Sequence, residues 1–266
     1  MKFIKTEDQE IVSTFRAKLY QKLIAPIDGM WESLYIGGAQ VYLIQKKAAT
    51  IGYCCINSNN YLLQIFLCDG YNYLMSQTIV LLIESKLITH ASLSSIEPIS
   101  FNACLCHAQS IEVNTYCFQY SKLQVQTQIE NLNTLTLVTE EDTLIVKKFF
   151  KEQIEFEDNF GYTENLIKRK ELYMIKDAEV IMATGECRLS DSQQKNADLG
   201  VIVNKDYQKK GLGKEVLSLL IREAQKVNRN PICSTTFDNI ASKKAIERAG
   251  FYCTHTIFDL SFEITT

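Results

Sequence analysis

The chain has 266 residues, 46% of them hydrophobic, with 31 acidic and 28 basic side chains and a formal net charge of -3. That length suits two domains of about 130 residues, each able to bury a core of its own. The slight acidity gives no general attraction to nucleic acid or anionic lipid, and no apolar run reaches the roughly 18 residues of a membrane span, so neither kind of partner is expected.

The N-terminus, Met1 to Asp8, lacks the apolar segment of a secretory signal, and nine cysteines then point to reduced thiols in a cytoplasmic protein. Cys104, Cys106 and His107, with Cys117 farther on, fit no common zinc spacing, so no metal is expected. Cys54-Cys55 reads as one core and one surface residue on a strand.

The two halves echo each other in order. Thr6-Glu7-Asp8 returns as Thr139-Glu140-Glu141-Asp142, Tyr42-Leu43-Ile44 as Tyr173-Met174-Ile175, and Gly52-Tyr53-Cys54 as Gly185-Glu186-Cys187. Asp69-Gly70-Tyr71 answers Asp206-Tyr207, and Glu97-Pro98-Ile99-Ser100 answers Asp238-Asn239-Ile240-Ala241. Chance words would not keep this order, so the chain reads as a tandem duplication. The seam falls in the polar stretch Gln126 to Asn133, giving domains over 1–130 and 131–266.

In the second half, Leu135 to Val138 reads as a strand and Thr139 as the cap of a helix carrying Leu144, Ile145, Phe149 and Phe150. Leu172 to Ile175 and Val180 to Leu189 form a hairpin turning at Lys176-Asp177-Ala178. Ser190 to Asn196 is a polar loop, and Leu199 to Val203 has the continuous apolar character of a strand buried on both faces. A helix then carries Val216, Leu217, Leu220, Ile221 and Ala224 on one side. The strand Ile232 to Phe237, a helix from Asn239 to Ala249 ended by Gly250, and a strand alternating Phe258, Leu260, Phe262 and Ile264 complete the half. The fold class is α/β, with a mixed central sheet and flanking helices in each of two copies.

Between Val203 and the next helix lies Gln208-Lys209-Lys210-Gly211-Leu212-Gly213-Lys214. Glycines there let the backbone turn its N–H groups inward, the helix start adds unpaired donors, and three lysines surround the spot. Together these describe a pyrophosphate cradle. Glu215 after Lys214 excludes a Walker A loop, and Val216 stands where a dinucleotide fingerprint needs a third glycine.

This loop between strand and helix, with Asn239-Ile240-Ala241-Ser242-Lys243-Lys244-Ala245 and Ala249-Gly250-Phe251 about 30 residues on, resembles the GNAT superfamily of N-acetyltransferases. The resemblance covers roughly Leu135 to Ile264 and more faintly the first half. It implies a GNAT-like acyl-CoA N-acyltransferase fold in two tandem copies, with acetyl-CoA as cosubstrate. Amides from Gln208 to Lys214 would hold the pyrophosphate. Val201, Ile202 and Val203 would pair with the pantetheine arm as an added strand. Asn239, with Ser242 and Lys244 nearby, would meet the same arm. Asn239 also reads as a helix cap, and Lys244 as a solvated lysine.

The family's acidic residue on the fourth strand falls on Asp198, expected here as the base for an amine acceptor, with a solvated strand-end carboxylate as the plainer reading. Glu186 is the second candidate. Ile246 stands where the family commonly has a Tyr that protonates the leaving thiolate. The first copy has Tyr71 to Ser76 in place of the loop, so it reads as degenerate. The expectation is acetyl transfer to a small-molecule or peptide amine by direct attack. A non-catalytic CoA-binding protein and an acyltransferase for a longer acyl-CoA are the alternatives. The sequence leaves oligomeric state open.

Overall fold

The computed structural model describes residues 1–121 and 133–263. Of the expected linker, 126–132 lie outside the described residues. The first half builds β1 (Lys2–Thr6), α1 (Gln9–Tyr20), β2 (Gln40–Lys46), β3 (Ala49–Ile56), β4 (Tyr61–Leu67), α2 (Met75–Glu84), β5 (His90–Ser94), α3 (Pro98–Leu105) and β6 (Ala108–Tyr120). The second builds β7 (Thr136–Leu137), α4 (Thr143–Ile154), α5 (Tyr162–Lys168), β8 (Leu172–Asp177), β9 (Val180–Leu189), β10 (Asn196–Val203), α6 (Leu212–Lys226), β11 (Asn230–Thr236), α7 (Ile240–Arg248) and β12 (Phe251–Phe262).

An acidic side chain stands at the start of the first helix of each half, in different roles: Asp8 caps α1, and Asp142 closes the single turn that leads into α4. The Asp8 carboxylate accepts from the N–H groups of Glu10 and Ile11, while the Asp142 carboxylate accepts from the N–H and hydroxyl of Thr139. The Asp8 cap supplies partners for donors that the first turn of α1 cannot satisfy internally, worth about 1 kcal/mol.

The contacts form two units, residues 1–116 with the chain from His255 onward, and residues 117–254. The chain therefore leaves the first unit within β6 and returns to it within β12. In the first unit β1, β2, β3 and β4 pair antiparallel in sequence, and β4 meets β5 in parallel. Residues 257–261 of β12 then pair antiparallel with 94–90 of β5, and Leu260 and Phe262 enter that unit's core beside Leu82, Ile88 and Leu93. In the second unit β7, β8, β9 and β10 pair antiparallel and β10 meets β11 in parallel.

Each sheet is thus mixed, with one parallel junction that soon ends. Beyond Leu62↔Ala91 in the first unit and Asp198↔Ile232 in the second, the two parallel strands share no further register pairs. The result is a fork in each unit. One face of the second sheet is covered by α6, whose Val216, Leu217, Leu220, Ile221 and Ala224 are all buried, each large side chain worth about 1.5–3 kcal/mol. The other is covered by α4 and α5, with Phe149, Phe150, Leu166 and Ile167 in one cluster with Leu172 and Met174.

Several expectations need amending. The helix α5 was not anticipated, because seven residues give too short a run for its period to stand out. The final strand pattern is one strand from Phe251 to Phe262, not a strand beginning near Phe258, and Ile264 lies outside the described residues. β10 starts at Asn196, three residues before the expected Leu199, because Asn196 and Asp198 are buried in the sheet despite their polar side chains. Leu199 is buried, but Gly200 to Val203 are half exposed, since β10 has no neighbour on the β11 side there. Cys54 and Cys55 are both fully buried, because β3 is a central strand with side chains covered on both faces.

Candidate active site

The loop after β10 starts from Asn204, whose side-chain oxygen accepts from the Asp206 N–H and so sets a single helical turn over Lys205–Tyr207. Gln208 turns back and donates from Nε2 to the Val203 carbonyl at 3.2 Å, holding the loop against the strand end. Lys209 and Gly211 both have positive φ, 63° and 87°. At Gly211 this left-handed turn is what demands glycine; its Cβ position is otherwise open space. Gly213 has ordinary φ, and a Cβ there would touch only Ala245 at 3.6 Å and Val203 at 3.7 Å, so the fold itself tolerates a methyl.

Among the described residues, the N–H groups from Lys209 to Lys214 have no hydrogen-bond partner. They comprise the first turn of the 15-residue helix α6 and the loop that leads into it. An anion held there would meet a row of donors and the positive end of the helix dipole. Lys209 is exposed and Lys214 half buried, whereas Lys210 bends away: its Nζ donates to the Asp206 carbonyl at 3.1 Å and lies 5.2 Å from the Tyr207 ring centre. The residues present fit a pyrophosphate, with Lys210 bracing the loop.

Next to this cradle, Val201, Ile202 and Val203 pair with Gly185, Thr184 and Ala183 on β9, while their opposite edge faces the fork. That edge offers the unpaired backbone groups an extended amide-bearing chain would need. Asn239 caps α7, its Oδ1 accepting from the Ser242 N–H at 3.0 Å. Ser242 is half buried and Lys244 exposed. Gly213, at the start of α6, approaches Ala245 in the body of α7.

On the sheet face under α4 and α5 lies a polar cluster. Asp198 is 2% exposed and pairs in register with Arg188 and Ile232, on the stretch where β10 and β11 are still joined. Its Oδ2 lies 3.0 Å from Arg188 Nη2. It is a buried, ion-paired residue, not a solvated strand end. Arg188 Nη1 bridges to Glu186 Oε2, which also accepts from the Tyr162 hydroxyl at 2.7 Å. Burial opposes the charge of Arg188, but Asp198 and Glu186 outweigh it and hold the guanidinium firmly cationic. Burial likewise pushes the Tyr162 phenol well above its ordinary value, so it stays a neutral donor.

Glu186 stands opposite Gly200, beside the open part of β10. A Cβ at residue 200 would lie 3.0 Å from Arg188 Nη1 and 3.2 Å from Glu186 Oε2. The Arg188–Tyr162 part of this cluster was not foreseen. Tyr162 sits on the unanticipated α5, and only the alternation of Glu186 and Arg188 along β9 hinted at it.

The first unit has the same fork, filled. In place of Gly200 opposite Glu186 it has Phe66 opposite Tyr53, and Phe15 of α1 packs on both rings at 6.2–6.3 Å. Leu63, Gln64, Ile65, Phe66 and Leu67 are all buried. Where the second unit has its glycine loop, a helical turn over Asp69–Leu74 carries Tyr71 and Tyr73, with Lys46 Nζ 6.0 and 5.5 Å from their ring centres.

Two family models match the chain. Residues 8–121 match one described as "Acetyltransferase (GNAT) domain", and residues 134–251 one described as "Acetyltransferase (GNAT) family". Among solved structures, an acetyltransferase from the GNAT family of Colwellia psychrerythraea is 27% identical, with a TM-score of 0.94 over 99% of this chain and 100% of that one. A GCN5-related N-acetyltransferase from Sphaerobacter thermophilus is 12% identical, with a TM-score of 0.66 over 98% and 95%. A tandem GNAT protein from the clavulanic acid biosynthesis pathway is 11% identical, with a TM-score of 0.63 over 100% and 99%. The latter two show likeness of fold alone. A search of curated proteins gave no match.

Proposed function

The chain belongs to the GNAT family of acetyltransferases, with two such domains in tandem, and we propose that its second unit transfers an acetyl group from acetyl-CoA to a primary amine. The observation that carries this reading is the fork beside an unpartnered amide row. The cradle from Gln208 to Lys214 would take the pyrophosphate, the open edge at Val201, Ile202 and Val203 the pantetheine arm, with Asn239, Ser242 and Lys244 alongside. Acetyl-CoA supplies an activated thioester carbonyl. The filled first fork supports one site per chain.

An ammonium has no lone pair, so the acceptor must lose a proton before it attacks. In this reading Glu186 is the proton acceptor, because it faces the open stretch of the strand. Asp198, the residue expected as base from the sequence, acts through Arg188 to position it. Ile246 is buried and carries no proton to give, so the thiolate leaves without a tyrosine donor; a thiol's ordinary pKa of about 8.5 makes that tolerable. A reducing cytoplasm suits the nine free cysteines, and among the described residues no helix is long and apolar enough to cross a membrane.

Calorimetric titration of acetyl-CoA, followed by amine-dependent release of free thiol, tests the reading. One site per chain and thiol release with a primary amine are expected. Saturation at about a hundredfold over Kd should add roughly 2.7 kcal/mol to unfolding stability. No binding, or binding without transfer to any amine, would overturn it; the second result would favour a non-catalytic CoA-binding protein.

A further inference from the structure

Resting on that reading of the second unit, we infer that the acceptor is an amine carrying an apolar or aromatic arm, with Phe160 as a specificity-determining residue. Two observations meet at Tyr162. Its hydroxyl holds Glu186 Oε2 at 2.7 Å, at the polar end of the cluster. Its ring packs against Phe156 at 5.8 Å and Phe160 at 6.3 Å, and those two rings lie edge to face at 6.1 Å. One phenol thus joins a carboxylate to an aromatic rim.

The polar end selects the amine. Glu186 and Asp198 share one guanidinium, Arg188, so two carboxyl groups face a single cation. Both carboxyl groups are mostly buried, and an incoming amine would add the donors that one guanidinium does not supply. The apolar end selects the rest of the molecule. Phe160 is 64% exposed although its neighbours Phe156 and Tyr162 are half buried against the α4–α5 core. A large ring standing in water with aromatic neighbours on one side leaves a face for a ligand ring or alkyl chain.

This rim is held in place, unlike a loose loop. The Asp158 carboxylate accepts from the N–H groups of Phe160, Tyr162 and Thr163 at 3.3, 2.9 and 2.6 Å, so the α4–α5 turn closes around it. Burial alone would raise the Asp158 pKa, but these donors win and hold it down to about 2. The carboxylate stays charged and the three N–H groups stay satisfied across the physiological range.

The test compares acetyl-CoA-dependent thiol release with phenethylamine, hexylamine, ethanolamine and putrescine, for the full chain and for Phe160→Ala. Phenethylamine and hexylamine should show kcat/KM at least tenfold above ethanolamine and putrescine. Phe160→Ala should raise KM for the first two about five- to tenfold, with kcat and the polar amines little changed. A preference for the polar amines, or an unchanged KM in the variant, would overturn the inference while leaving amine acetylation intact. Acetyl-CoA binding without transfer to any of the four amines would overturn both.

Discussion

Gly200 stands directly across the β9–β10 ladder from Glu186, and the missing side chain is all that separates the open strand edge from the carboxylate. The first unit has the same register pair filled, as Phe66 across from Tyr53. Gly200 is therefore one of the residues that keep this fork open where the first is packed by Phe15, Tyr53 and Phe66. Gly200→Val should close the second fork in the same manner. Its side chain would press on the Glu186 and Arg188 tips, a cost in packing of about 1–3 kcal/mol. Amine turnover should fall at least a hundredfold while the Kd for acetyl-CoA, read by calorimetry, changes less than about fivefold. Equal loss of both would mean that residue 200 serves the fold and not the acceptor.

The two buried carboxylates can be told apart by their partners. Glu186→Gln keeps the shape and removes the proton acceptor, so kcat should fall about 10²- to 10⁴-fold. Asp198→Asn leaves Glu186 in place but weakens the hold on Arg188, so a smaller loss in kcat is expected, together with a displaced acid limb in the pH–rate profile. Should Asp198→Asn prove the more damaging at every pH, with Glu186→Gln near normal, the two roles would be exchanged.

These residues also mark what the sequence can disclose. The loop from Gln208 to Lys214 was legible because glycine, lysine and a helix start are local signals, and the repeat gave the two-copy fold. The passage of β12 into the first unit was not legible, since Leu260 and Phe262 alternate in the same way whichever sheet receives them. Asp198 looked like a strand-end charge because its guanidinium partner lies ten residues upstream on another strand, a pairing that only the β9–β10 register creates.

The three loop lysines should not be equivalent. Lys210 is spent on the Asp206 carbonyl and the Tyr207 ring, whereas Lys209 and Lys214 have no such tie. Lys214→Ala should weaken acetyl-CoA binding about tenfold, with the difference shrinking at high salt as screening removes the attraction. Lys210→Ala should cost less in affinity and more in loop order, visible as faster amide exchange around residues 206–211. Equal, salt-dependent losses from both variants would contradict the geometry of Lys210.

Separating the halves should cost the first unit its last strand. A fragment of residues 1–130 lacks Leu260 and Phe262, both in the core of that unit and 0% and 5% exposed. Removing two such side chains leaves cavities worth about 2–5 kcal/mol each, and β5 loses its antiparallel neighbour as well. The fragment is expected to aggregate or unfold, and adding residues 131–266 in trans should restore solubility. A monomeric, cooperatively folding 1–130 fragment would show that the β5–β12 pairing is dispensable.

Stability should also carry the signature of one buried acid in the first unit. Glu97 precedes α3 and is 5% exposed; burial pushes its pKa up to about 8, only partly relieved by the hydroxyl of Ser100. In the native protein the group is therefore neutral at pH 7, while in the unfolded chain it ionises near 4.5. The folded state then binds the extra proton between those values, so stability falls as pH rises from about 4.5 to 8, by on the order of 4 kcal/mol. His255 acts in the opposite sense at lower pH, since burial depresses its pKa to about 4 although Asp28 opposes the shift, and protonation of the unfolded chain costs stability as pH falls below about 6.5. Urea unfolding at pH 5, 6.5 and 8 separates the two. Glu97→Gln should be more stable than the parent at pH 8 and lose most of the difference by pH 5, because Gln keeps the neutral shape without the cost of staying protonated. Parallel pH curves for the variant and the parent would mean that Glu97 finds compensation in the native state and does not set the slope.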